Sequence, residues 1–329
     1  MSKLKLTIAT SDYDHLRDLA TGRVTAEGID INYLNFSIEE IFHRFALNRE
    51  WEVSELSFGK FIAQVAGDRP DITGLPVFPS RMFRHSSIYL RRDGPITEPQ
   101  QLAGKKVGVP EWAQTAAIYT RGWLEHNVGV PLADIDWYQA GVNDPGRTEK
   151  VTLYLPDGVN VTPVPDKSLN GMLLAGELDA ILTAHPPAAF EAGDGDIVRL
   201  FPDYREVEEA YYDATGIFPI MHVIAVRKDV LEANPWVAQN LFVAFEEARA
   251  RGIARAMEMT ASRYPIPWGS NMAEKMRAKF GDDYFPYGIE ANRKTLEALL
   301  LYAHEQGLCQ RRLEPEELFP KEVESKFKI

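Results

Sequence analysis

The sequence predicts an α/β protein of two lobes, and three observations predict it. Strand-like alternation and helix-like periodicity take turns from the N-terminus onward. A self-contained α/β stretch occupies about 93–217, and the chain after Arg227 is mostly helical, too poor in strands to build a sheet alone. Those last helices must therefore pack back on the N-terminal sheet. The result is a discontinuous first domain of 1–90 plus 225–329, an inserted second domain of 91–224, and crossover segments near 88–92 and 220–227 that set two lobes across a cleft.

Each element has its own signal. Apolar and polar residues alternate from Leu4 to Ala9 as in a half-buried strand, and Asp14 can cap a helix that ends near Gly22. Gly28 to Phe36 reads as the next strand, followed by Ser37 and Glu40 spaced as a capping box ahead of Ile41, Phe42 and Phe45. A short apolar segment at Val53 to Leu56 meets Ser57, which opens an amphipathic helix from Phe58 to Ala66. Ser86 to Leu90 forms a strand, Lys105 to Val109 a buried one, and a helix runs from about Glu111 to Glu125. A strand and loop follow over Ile135 to Arg147, and Leu155 to Pro165 reads as a loop or short hairpin. A helix from Ser168 to Leu174 leads to a buried strand around Ala180 to Leu182. Phe218 to Arg227 is an apolar strand, Asn234-Pro235 starts a helix with proline at its first position, and helices at about 235–259, 271–280 and 289–306 complete the chain.

Composition excludes whole classes of function. With 36 Lys+Arg against 48 Asp+Glu the formal net charge is −12, which disfavours nucleic acid or an anionic membrane as the main partner. A single cysteine, Cys309, rules out an intramolecular disulfide and any paired-thiolate zinc site. No apolar run is long enough to span a bilayer and no secretory signal opens the sequence, so the expectation is a soluble cytoplasmic protein. Gly104 and Gly108 do not form a dinucleotide fingerprint, and no Walker-type Gly-Lys-Ser/Thr is present.

Four phrases carry a resemblance. They are Ser11-Asp12-Tyr13-Asp14, Pro76-Val77-Phe78-Pro79-Ser80-Arg81-Met82-Phe83-Arg84-His85-Ser86, Pro145-Gly146-Arg147-x-Glu149-Lys150, and Thr215-Gly216-Ile217-Phe218-Pro219-Ile220-Met221-His222. Together with the Lys105-Lys106-Val107-Gly108-Val109 and Gly176-Glu177-Leu178-Asp179-Ala180-Ile181-Leu182 elements, they resemble the 4,5-dihydroxyphthalate decarboxylase family over nearly the whole chain. The last two elements are generic to the type II periplasmic-binding-protein fold that the family uses. The resemblance implies a carboxy-lyase that removes one carboxylate from 4,5-dihydroxyphthalate, or a close hydroxylated aromatic carboxylate, to give protocatechuate. His15 and the Trp112-Ala113-Gln114-Thr115 order depart from the family pattern.

A substrate with two carboxylates and two ring hydroxyls needs cationic donors for the carboxylate that stays, and a proton donor for the ring carbon that loses the other. Arg81 and Arg84 stand three apart with no acid beside them, and Arg147 lies in a Gly-rich loop. Ser57-Phe58 and Gln114-Thr115 open helices whose N-termini could present N–H groups to an anion. His222 is the favoured proton-transfer residue, with His85 expected mainly in binding, Asp12 as a base toward a ring hydroxyl, and His185 and Tyr13 lining the site. Alanine at Arg81 or His222 should abolish turnover with little loss of fold. The ring hydroxyls supply the electron push, so no cofactor is expected. A divalent metal would need His15, His85, His185, His222 and Asp12 to converge without a ligand spacing in the sequence, and is disfavoured.

Rival readings are a solute-binding protein that captures aromatic carboxylates for an importer, which would require export, and another enzyme of this scaffold acting on a cyclic carboxylate. The 6 Trp, 16 Phe and 13 Tyr leave room for an apolar interface between copies.

Overall fold

The computed structural model describes residues 2–323 as two sheets with flanking helices. β1 (Leu4–Thr10) is followed by a 3₁₀ turn and the single-turn α1 (Arg17–Ala20), so the helix expected from Asp14 to Gly22 is only partly α-helical. β2 (Ile29–Asn35) leads to α2 (Ile38–Asn48), where half of the expected capping box forms: Ser37 Oγ accepts from the Glu40 N–H at 3.4 Å, while Glu40 Oε1 accepts from Arg44 Nη1 at 2.8 Å instead of turning back to the cap. β3 (Val53–Ser57) runs without a break into α3 (Phe58–Val65), and β4 (Ile72–Leu75) closes the first segment. The chain then enters the other sheet at β5 (Ile88–Arg91), continues through β6 (Lys106–Val109), and reaches α4 (Thr115–Trp123), which is extended by a π-helical turn at Leu124–Val128. There follow β7 (Asp136–Gly141), β8 (Val161–Ser168), α5 (Leu169–Leu174), β9 (Ala180–Leu182), α6 (Ala188–Ala192), β10 (Ile197–Arg199) and α7 (Tyr204–Thr215). β11 (His222–Arg227) rejoins the first sheet, and α8 (Lys228–Ala233), α9 (Trp236–Ala256), α10 (Gly269–Phe280) and α11 (Arg293–Glu305) follow.

Strand order is β2-β1-β3-β11-β4 in the first sheet and β10-β5-β9-β6-β7-β8 in the second. β1, β2 and β3 are mutually parallel, whereas β11 is antiparallel to both β3 and β4. The segments expected as crossovers are themselves strands: β5 pairs only in the second sheet and β11 only in the first. The chain passes between sheets over 76–87 and 200–221. Residues 161–168, expected in part as loop, add β8 in parallel to β7.

The antiparallel insertion of β11 has a consequence for function. It brings the N-terminal end of β11 to the same sheet edge as the C-terminal ends of β1 and β3, the edge where open α/β sheets bind ligands. Behind that edge the core is dense with aromatic rings. Trp51, Phe58, Phe61, Phe78 and Phe245 are all buried, and each such side chain contributes about 1.5–3 kcal/mol by leaving water.

The lobes meet closely where α3 starts. A Cβ on Gly59 would lie 2.4 Å from Ile118 Cδ1 and 2.6 Å from the Ala113 carbonyl oxygen, so only glycine fits this contact between α3 and the segment entering α4. No helix among the described residues is long and apolar enough to cross a membrane.

Candidate active site

Glu55 lies in β3, every residue of which is buried. A carboxylate there requires partners, and it has them. Glu55 Oε1 is 2.6 Å from His222 Nδ1 and accepts a hydrogen bond from Tyr13 Oη at 2.6 Å, while Oε2 accepts from the Ser11 N–H at 2.8 Å. Register explains the encounter. His222 stands opposite Ser57 across the antiparallel β3/β11 pair, and Glu55, two residues earlier on the same face, is its diagonal neighbour. Tyr13 comes from the loop after β1 and also approaches His222 Nδ1 at 3.3 Å.

Electrostatics fix the states of two members of this triad. Burial alone would raise the Glu55 carboxyl, but the His222 hydrogen bond and charge, with the Ser11 N–H and Tyr13 hydroxyl, hold it below the usual carboxylate range. Burial and the adjacent Glu55 charge push the Tyr13 phenol well up, so it stays a donor. The other imidazole nitrogen, Nε2, has no protein hydrogen bond among the described residues, and Phe42 packs edge-on against the ring at 5.0 Å between centroids.

Phe42 also lines a cavity of about 740 Å³ together with Lys60, Arg147, Lys150 and His185. At its inner wall Lys60 Nζ is 2.5 Å from Glu111 Oε2, Arg147 Nε is 2.8 Å from Glu111 Oε1, and Lys150 Nζ is 3.7 Å from the same oxygen. Glu39, exposed on α2, pairs with Arg147 at 3.4 Å and His185 at 3.7 Å. Burial would raise the Glu111 carboxyl, but Lys60 and Arg147 hold it below its ordinary value.

Of the residues expected at the site, the structure brings together Tyr13 and His222, sets Arg147 and His185 on the cavity, and joins Ser57 to Thr115 at 2.9 Å between hydroxyls. The end of α3 is not open to an anion, because the Phe58 N–H bonds to the Met221 carbonyl and the Gly59 N–H to Thr115 Oγ1, both at 3.0 Å. Gln114 Oε1 accepts from the Ala184 N–H at 3.3 Å, and the Phe58 ring is buried in the core. Asp12 is exposed in its loop and takes no part in the Glu55 cluster.

Arg81, Arg84 and His85 lie elsewhere. Arg81 is buried and donates to the Pro286 carbonyl at 2.6 Å, to the Phe218 carbonyl at 3.4 Å and to Asn292 Oδ1, with the faces of Phe78, Phe218 and Phe285 around it. Carbonyls and rings stand around it in place of an acidic partner. Arg84 packs beside Met221 Sδ, and burial lowers both guanidiniums to about 10. His85 sits among Trp123, Phe201 and Tyr211 with neither ring nitrogen hydrogen-bonded. Desolvation holds it neutral, down to about 4.

Four residues that complete the arrangement escaped sequence reasoning: Glu55, Lys60, Glu111 and Phe42. The signal for the first two was present, since a charge inside the apolar run Val53 to Leu56 and another between Phe58 and Phe61 must be answered by partners when those faces are buried. His15, His85, His185 and His222 do not converge. Among the described residues, the group whose ligand atoms could share a metal is Glu125, His126 and Glu305, at the junction of the π-helical turn and α11.

Fold and site define a two-lobed protein of the type II periplasmic-binding-protein class, with a buried acid–histidine–tyrosine cluster beside its cleft. Solved structures share that fold. The periplasmic aliphatic sulphonate binding protein SsuA of Escherichia coli superposes with a TM-score of 0.53 at 14% identity, covering 98% of this chain and 99% of that one. A periplasmic sulfonate-binding protein of Methylobacillus flagellatus gives 0.54 at 12%, covering 97% and 92%. No family model matches the chain. Among curated proteins, 4,5-dihydroxyphthalate decarboxylase of Comamonas testosteroni is 37% identical over 331 residues, with 100% of both chains covered. The Pseudomonas putida enzyme of the same name is 37% identical over 215 residues, covering 65% of this chain and 83% of that one. The chain belongs to the 4,5-dihydroxyphthalate decarboxylase family and is a carboxy-lyase, as its sequence phrases led us to expect.

Proposed function

We propose that the protein removes one carboxylate from 4,5-dihydroxyphthalate, or a close hydroxylated aromatic dicarboxylate, by protonating the ring carbon that bears it. The observation that carries this reading is the 2.6 Å contact of His222 Nδ1 with buried Glu55. With Nδ1–H donated to the carboxylate, Nε2 is the nitrogen left to move a proton. Glu55 supports the imidazolium, Tyr13 donates to the same oxygen, Oε1, and the Ser11 N–H holds Oε2.

The reaction then needs little else. The hydroxyl para to the departing group pushes electron density into the ring, His222 Nε2–H delivers a proton to the ipso carbon, and the carbon–carbon bond breaks to release carbon dioxide as the ring rearomatises. The proton consumed is regained by His222 from solvent. The cations at the cavity wall, Lys60, Arg147 and Lys150, are suited to anchor the carboxylate that remains. This scheme routes no electrons through a cofactor.

The test is direct. Chelator-treated protein is mixed with 4,5-dihydroxyphthalate, and carbon dioxide and the ring's ultraviolet spectrum are followed with and without added divalent metal. Equal release in both supports the scheme; release only with metal replaces its cofactor-free step; no release, with tight calorimetric binding of aromatic dicarboxylates, favours a binding protein.

A further inference from the structure

Glu111 is buried, yet the groups within 4 Å of its carboxylate are three cations drawn from both lobes. Lys60 belongs to α3 beside the first sheet, whereas Glu111 follows β6 of the second and Arg147 and Lys150 follow β7. The Lys60–Glu111 pair therefore exists only while the lobes are together. Three cations around one carboxylate leave positive charge in excess about Glu111 itself, with Glu39, Asp144 and Glu191 also lining the cavity.

We infer that Glu111 is a positioning residue for carboxylate recognition: it holds Lys60, Arg147 and Lys150 in one fan along the cavity wall, coupling lobe closure to capture of an aromatic carboxylate. The inference rests on the functional reading above in naming the ligand class. The charged groups facing Lys60 are Glu111, Lys150 and Arg147. Burial lowers the Lys60 ammonium from its ordinary value, and Glu111 is the group that opposes this. Without the Glu111 charge only the lowering influences remain, so Lys60 gives up its proton at a lower pH and the wall loses a cation.

The experiment compares wild type with Glu111→Gln and Glu111→Asp, reading phthalate binding by calorimetry and KM and kcat for 4,5-dihydroxyphthalate between pH 6 and 9. Expected are phthalate binding weakened by about tenfold or more and a KM that rises by more than kcat falls. In Glu111→Gln the KM should climb with pH from a lower pH than in wild type, with partial rescue in Glu111→Asp. Unchanged binding and an unchanged pH profile overturn the inference. If Glu111→Gln does not fold, the double variant Lys60→Met with Glu111→Met leaves that pair without a stranded charge; wild-type phthalate affinity in that variant also overturns it. A wild type that binds phthalate but releases no carbon dioxide defeats the decarboxylase reading while the binding comparison still judges Glu111. A wild type that does not bind phthalate defeats both.

Discussion

Glu55 and His222 are set diagonally across the antiparallel β3/β11 pair, carboxylate to Nδ1 at 2.6 Å, with the acid buried and the imidazole near the cavity. Each depends on the other. Removing the histidine strands a buried carboxylate, and removing the carboxylate frees the ring to turn. His222→Asn, which can still donate to Glu55, should lower kcat by about 10²–10⁴-fold while leaving the melting temperature close to that of wild type. Steady-state kinetics and thermal melts check this, and wild-type kcat would remove His222 from the chemistry.

The same pair sets a pH dependence of stability. Glu55 titrates below its ordinary range when folded, so the unfolded chain takes up its proton first as pH falls. Its stabilisation is complete above the ordinary carboxylate range and is lost as pH drops through the lower folded value. Glu55→Gln should therefore be less stable than wild type at pH 7, with the gap narrowing toward pH 3. Urea midpoints across that range measure it, and a gap that widens in acid would contradict the sign.

Arg81 should behave in the opposite way to the sequence-based expectation. Its two terminal nitrogens donate to the Pro286 and Phe218 carbonyls and Asn292, so Arg81→Met leaves buried acceptors unsatisfied. Each costs about 1–3 kcal/mol. The expected outcome is a clear fall in urea midpoint with turnover retained per folded molecule; unchanged stability with lost turnover would return Arg81 to the cleft.

Much of this fold was legible because local patterns and global topology agree. Ser37 caps α2 through the Glu40 N–H, half of the box its spacing predicts, and α9 starts beside Pro235. The site was legible only where its residues stand in distinctive phrases, such as Tyr13, Arg147 and His222. Glu55 and Lys60 looked like incidental charges, since nothing local reveals that β11 inserts antiparallel beside β3 and carries His222 to Glu55. Arg81, Arg84 and His85, in an equally distinctive phrase, lie apart from the Glu55 cluster for a related reason. A basic run without acids reads as a ligand site until one sees aromatic rings and carbonyls enclosing it.

His85 gives a prediction with a different pH window. Its folded value near 4 lies below the ordinary imidazole value of 6.5, because burial among Trp123, Phe201 and Tyr211 disfavours the cation. The unfolded chain binds the proton first, so stability falls as pH drops from 6.5 toward 4. His85→Leu should lose less stability than wild type over that interval. His15, also held down to about 4 by burial, keeps part of the slope in both proteins. Parallel melting curves for the two would show that His85 does not titrate there.

Thr115 tests the junction of the lobes. Its Oγ1 accepts from the Gly59 N–H at 3.0 Å and meets Ser57 Oγ at 2.9 Å, so one hydroxyl from the second lobe satisfies two groups of the first. Thr115→Val keeps the shape but strands the Gly59 N–H, at a cost of about 1–3 kcal/mol. Ser57→Ala removes a partner whose absence leaves the Gly59 bond intact, so it should cost less. If lobe closure captures the substrate, Thr115→Val should also raise KM, and Thr115→Ser, which restores the acceptor, should recover most of both losses. Urea unfolding and KM measured on the three variants decide the matter: equal effects in Thr115→Val and Ser57→Ala would mean that the Gly59 bond does not hold the lobes.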